Sequence, residues 1–133
     1  MIFAGIEHIG LVVKDSRAMA IWYENALEFR VLNSFPTETG HVAFIQCPQS
    51  GLIFELITNP ALDPIEDALT HPLQLHIAVK SGDVDADRDR LVKLGAEFVM
   101  DCPVPDPDAR VLIVKDPWGN FLQLARRKDD FYR

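Results

Sequence analysis

The stretch Gly51-Leu52-Ile53-Phe54-Glu55-Leu56-Ile57-Thr58 is an apolar run interrupted only by Glu55. It reads as a buried strand with one charge on one face. Period-two alternation puts Ile53, Glu55 and Ile57 on one side and Leu52, Phe54 and Leu56 on the other. A carboxylate among isoleucines must protonate, find a partner or bind a metal. The remaining sequence is therefore read for what Glu55 faces.

Upstream, Ile6 to Lys14 reads as a strand, with Ile9, Leu11 and Val13 on one face and Ile6, His8, Gly10 and Val12 on the other. Asp15 or Ser16 caps a helix to about Leu27, in which Met19, Trp22, Tyr23, Ala26 and Leu27 recur at helical spacing. Strand-like runs follow at Phe29–Phe35 and His41–Cys47, ahead of the 51–58 stretch, so the order is βαβββ. Residues 59–72 form a proline-rich connector with a single helical turn predicted over Ile65–Leu69. Downstream the pattern restarts: a strand over Leu73–Lys80, a helix capped by Asp83 and ended at Gly95, and strands at Glu97–Asp101, Arg110–Lys115 and Asn120–Arg126. The charge run DVDADRDR is the wet face of that helix, and Asp116-Pro-Trp-Gly-Asn120 is a turn.

The chain is thus an internal repeat. His8 and His76 are 68 residues apart, as are Asp15 and Asp83, and Glu55 and Gln123. Glu28-Phe29 matches Glu97-Phe98 at 69, and His41-Val42 matches Arg110-Val111 at the same offset. Solenoid units run about 20–50 residues, so two copies this long predict instead two half-sheets joined in one curved sheet. The fold class is α+β: two βαβββ modules, about 1–58 and 73–127, flank the connector 59–72 in one domain spanning 1–133, with a concave cup. His8, His76, Glu55 and Gln123 each fall opposite the apolar side of their strands, and so on the concave side. Two imidazoles, a carboxylate and an amide there make a divalent-metal site with borderline ligands, suited to Zn, Ni, Co, Mn or Fe(II). The alternative is a buried polar network without metal. His41 can also reach the cup, although packing explains it as well. Cys47 and Cys102, without basic neighbours at helpful spacing, are given no catalytic role.

The segments IEHIGLVVKD, FELITN, QLHIAVKSGD and DPWGNFLQL resemble the vicinal oxygen chelate superfamily, which includes glyoxalase I, methylmalonyl-CoA epimerase, extradiol dioxygenases and bleomycin resistance proteins. The resemblance covers nearly the whole chain. It implies that His8, Glu55 and His76 stand at metal-ligand positions of glyoxalase I, whose fourth ligand is a Glu where this chain has Gln123. It also implies a substrate contact for Asn59, which matches an Asn that touches glutathione. Val12 stands where that enzyme has an Arg for a glutathione carboxylate. The activity implied is that of a glyoxalase-like lyase or isomerase acting on a small chelating carbonyl substrate. Glu55 would be the base that removes the proton next to the carbonyl. The alternatives are an Fe(II) extradiol-type dioxygenase and a metal-free drug-binding protein.

Composition narrows the partners. In 133 residues, 20 acidic against 13 basic side chains give a net charge of −7, which disfavours nucleic acid and anionic membrane as partners. No apolar run approaches the roughly 18 residues of a membrane span. With neither a basic leader nor a small-residue cleavage site, the expectation is a cytoplasmic protein. A homodimer is expected because half-sheets have edges to pair.

Overall fold

The computed structural model describes residues 2–129. Its elements are β1 (Ile9–Val12), α1 (Ser16–Leu27), β2 (Arg30–Pro36), β3 (His41–Gln46), β4 (Ile53–Thr58), α2 (Ile65–Ala68), β5 (Ile77–Lys80), α3 (Val84–Lys93), β6 (Glu97–Asp101), β7 (Arg110–Lys115) and β8 (Phe121–Arg126). The class is α+β, with βαβββ stated twice. Hydrogen bonding groups the strands into two four-stranded mixed sheets, ordered β1-β4-β3-β2 and β5-β8-β7-β6. In each, the first strand runs parallel to the fourth and the other pairs are antiparallel. The chain divides into two compact units with the boundary after Ala68.

In the first unit, the Asp15 carboxylate accepts from Ala18 N at 3.0 Å and starts α1. Glu28, in the left-handed region at φ 58°, ends it by donating its N–H to Tyr23 O. The helix buries Met19, Ala20, Tyr23 and Ala26, while the strands beneath bury Ala43, Ile45, Phe54 and Leu56. Each large side chain of this set contributes about 1.5–3 kcal/mol relative to exposure. Tyr23 is further fixed edge-on to Phe29, centroids 5.7 Å apart. Gly40 turns the β2–β3 hairpin so close to β4 that a Cβ there would lie 1.9 Å from Thr58 O, which excludes any other residue. The connector helix α2 belongs to this unit. Lys14 N donates to Glu66 Oε1 at 3.1 Å, and Lys14 Nζ lies 3.4 Å from Asp67.

The second unit repeats the plan with a thinner helix. Asp83 accepts from Ala86 N at 3.0 Å, Val84 and Leu91 point inward, and Gly95 at φ 105° ends the turn beyond α3. Asp85, Arg88 and Asp89 pair along the polar side of α3, as the charge run predicts. The β7–β8 turn is organised by buried Asp116, whose carboxylate accepts from Trp118 N, Asn120 N and the Asn120 amide at 2.8–3.2 Å. Gly119 supplies the positive φ of 93° there.

Two strands are shorter than the sequence predicts by four or more residues. The strand predicted over Leu73–Lys80 begins at Ile77. The Gln74 side chain accepts from Thr70 N and His71 N, and Pro72 has no N–H, so local bonds hold 70–74 as a turn. The strand predicted over Ile6–Lys14 is assigned only over Ile9–Val12. Both histidines of the repeat therefore stand just before a strand rather than midway along it.

Candidate functional site

Register sets which side chains share a face. In the first unit, Asn33, Phe44, Glu55 and Gly10 form one row across four strands. Their face is opposite to the one buried by Phe54, Leu56 and Ile45. Glu55 is half-buried here, and His8 approaches it, Nε2 to Oε1, at 3.7 Å. That is too long for a hydrogen bond. Nδ1 of His8 instead meets Glu7 Oε1 at 3.0 Å, and Phe44 stacks edge-on against the imidazole with centroids 5.7 Å apart. With Nδ1–H donating to Glu7, the Nε2 lone pair faces the carboxylate. Gly10 keeps the flank of Glu55 open, since a Cβ there would lie 3.5 Å from Oε1.

The second unit carries the matching row Met100, Ile113, Gln123 and Ala78. His76, like His8, has its Nδ1 engaged: it donates to Pro72 O at 2.8 Å and leaves Nε2 as the basic nitrogen. A histidine whose Nδ1–H is held by an oxygen is the usual form of an Nε2 metal ligand. Burial chiefly pushes the Cys102 thiol up, and the neighbouring Gln123 amide pulls it partly back. Nothing in the spacing of the sequence points to Cys102 as a neighbour of Gln123.

Each unit offers the same donor types, one imidazole nitrogen and one side-chain oxygen, and in the first unit their spacing suits a divalent ion. Donors at about 2.0–2.2 Å from a shared ion lie roughly 3–3.5 Å apart, close to the 3.7 Å between His8 and Glu55. Among the described residues, no three His, Cys, Asp or Glu side chains are gathered closely enough to hold an ion. The pair brought together is His8 with Glu55.

His41, which the sequence allows either to reach the cup as a substrate contact or to pack, takes the packing role and faces the other way. It pairs with Thr58 on the helix-covered face, is 8% exposed, and is bonded at both ring nitrogens, Nδ1 to Ser16 Oγ at 2.6 Å and Nε2 to Ser34 Oγ at 3.0 Å. Burial chiefly, and then the Arg17 charge, pull its pKa below the ordinary value. Its repeat partner Arg110 does the same work with charge, bonding Asp85 at 3.0 Å and Asp101 at 2.6 Å. Both residues tie a central strand to the first turn of its helix. The Asn59 side chain accepts from Ala61 N at 3.0 Å and shapes the start of the connector. His71 is exposed and accepts from Leu73 N at Nδ1.

Residues 5–124 match the family model of the Glyoxalase/Bleomycin resistance protein/Dioxygenase superfamily, and the chain belongs to that superfamily. Solved structures of the same fold include a glyoxalase family protein from Bacillus cereus, at 19% identity over 94% of this chain and 95% of that one, TM-score 0.74. The genomically encoded fosfomycin resistance protein FosX from Listeria monocytogenes, complexed with Mn(II) and sulfate, aligns at 21% identity over 96% and 95%, TM-score 0.68. TnmS3, an antibiotic binding protein from Streptomyces sp. CB03234, aligns at 23% identity over 93% and 96%, TM-score 0.67. Comparison with curated proteins finds no match. No helix among the described residues is long and apolar enough to cross a membrane.

Proposed function

We propose that this protein is a metal-dependent lyase or isomerase that removes a proton next to the carbonyl of a small chelating substrate. His8 and Glu55 from the first unit, and His76 and Gln123 from the second, would be the ligands. The observation that carries the reading is the state of the two histidines. At equivalent repeat positions each has Nδ1 tied to an oxygen and Nε2 left basic, and one of them faces Glu55 at 3.7 Å. Held by these ligands, a divalent ion would supply Lewis acidity towards the substrate oxygens. In this reading Glu55, half-buried and flanked by Gly10 rather than a side chain, would accept the proton. Phe44 holds the His8 ring edge-on and shields that flank from water. Zn, Ni, Co, Mn and Fe(II) all suit this donor set, and the Mn(II) bound by FosX favours an oxygen-rich choice. The chain is proposed to act in the cytoplasm as a homodimer, a state supported by β2, an edge strand with Leu32 and Phe35 exposed.

Metal-free binding of a small molecule is the second reading. It is favoured by the fold shared with TnmS3, an antibiotic binding protein.

Elemental analysis and solvent exchange together decide between them. Protein loaded with Mn, Co, Ni, Zn or Fe(II) should retain an ion, His76→Ala should lose it, and His71→Ala should not. In deuterated water, loaded wild type should exchange the proton next to the carbonyl of at least one of a panel of α-hydroxy ketones, hemithioacetals and 2-methyl-acyl thioesters. Glu55→Gln should do so about 10²–10⁴ times more slowly. Equal metal content in the two histidine variants overturns the ligand set. Equal exchange by Glu55→Gln moves the base elsewhere.

A further inference from the structure

The face of the second unit that carries Gln123 also carries a cation. Lys115 ends β7, pairs with Phe121 of β8 on one side and Glu97 of β6 on the other, and sits two positions from Ile113, the partner of Gln123. Side chains two apart on a strand share a face, so Lys115, Phe121 and Gln123 point to the same side. Nζ of Lys115 lies 5.8 Å from the Phe121 ring centroid, within cation–π reach. Among the described residues no carboxylate lies within 4 Å of it, although Glu97 stands on the neighbouring strand. The rest of β7 is sealed, with Val111, Leu112, Ile113 and Val114 at most 2% exposed. Lys115 is a half-buried residue whose ammonium lies over the Phe121 ring rather than against Glu97, so it is free to turn to an anion from outside.

Its distance from the ligand candidates suits one small molecule. Gln123 is two residues along β8 from Phe121, about 7 Å, and adjacent strands are about 4.8 Å apart. His76 directly precedes Ile77, whose partner is Leu122, so it stands level with the Phe121–Lys115 row. The repeat sharpens the point. The counterpart of Lys115 in the first unit, 69 residues earlier, is neutral Gln46, which donates to Gly51 O at 3.2 Å. The two halves therefore differ in charge at this position.

Resting on the metal-dependent reading above, we infer that Lys115, steadied over Phe121, determines specificity by receiving an oxyanion of the substrate a few bonds from its chelating oxygens. The substrate class is thereby a phosphate-, phosphonate- or carboxylate-bearing carbonyl compound.

The test uses two probes that differ only in the anion, dihydroxyacetone phosphate and dihydroxyacetone, titrated calorimetrically into metal-loaded full-length protein. Wild type should bind the phosphorylated probe at least about tenfold more tightly, the weight of one charge-assisted bond. Lys115→Gln, which copies Gln46, should bring the two probes within about twofold, and Lys115→Arg should restore most of the difference. The preference should weaken between low and high salt, as a half-exposed charge contact must. An unchanged preference in Lys115→Gln overturns the inference, and so does wild type that prefers neither probe or binds neither. Elemental analysis of the same samples keeps the readings apart. Loss of the ion with the Lys115-dependent preference intact overturns the metal reading alone, whereas a retained ion with no preference overturns the role of Lys115 alone.

Discussion

His41 shows how a single titratable side chain is settled by its bonds. Ser16 Oγ donates to His41 O at 3.1 Å, so it accepts from Nδ1–H, and Ser34 Oγ–H donates to Nε2. One neutral tautomer satisfies the whole set. Burial, and then the Arg17 charge, hold the folded pKa below the unfolded 6.5. The unfolded chain then binds more protons at acidic pH, so stability falls as pH drops through 6.5 and the effect vanishes above it. Chemical denaturation of wild type and His41→Asn at several pH values should show the variant less stable at pH 8, by about 1–3 kcal/mol for the orphaned hydroxyls. The gap should narrow towards pH 5. A gap that widens on acidification would contradict the account.

At the scale of elements, the two helices are started by the same device and held by different amounts of core. Asp15 and Asp83 accept from the N–H three residues on, both at 3.0 Å. α1 buries Met19, Ala20, Tyr23 and Ala26, whereas α3 buries only Val84 and Leu91. A helix with little buried surface depends more on its cap. Asp83→Ala should therefore cost about 1 kcal/mol globally. Amide exchange should show α3 opening locally more often in that variant, while Asp15→Ala leaves α1 protected until global unfolding. Equal local opening of the two helices would show that burial does not set the difference.

Across the whole chain, duplication is what spreads the ligand candidates. Each unit supplies an imidazole just before its first strand and an oxygen donor at the third position of its last. The proposed ligands include one carboxylate, Glu55, and one amide, Gln123, so the proposed set carries one negative charge rather than two. Gln123→Glu should raise metal affinity, read by competition with a chelator, because a second carboxylate offsets more of the ion's charge. A weaker ion in that variant would remove Gln123 from the proposed set.

Local rules were enough for much of this. The repeat, the caps at Asp15 and Asp83, the alternation that isolates Glu55 from Phe54 and Leu56, and the turn at Asp116–Asn120 all follow from spacing and side-chain chemistry within a few residues. Register was not legible, because pairing joins residues far apart in sequence. It placed Phe44 beside Glu55, turned His41 under α1, and set Lys115 over Phe121. Strand ends were not legible either. Gln74 and Pro72 held 70–74 as a turn, against the apolar pattern of Leu73 and Leu75. Period and chemistry thus chose the candidate ligands, while the pairing of distant strands chose their neighbours.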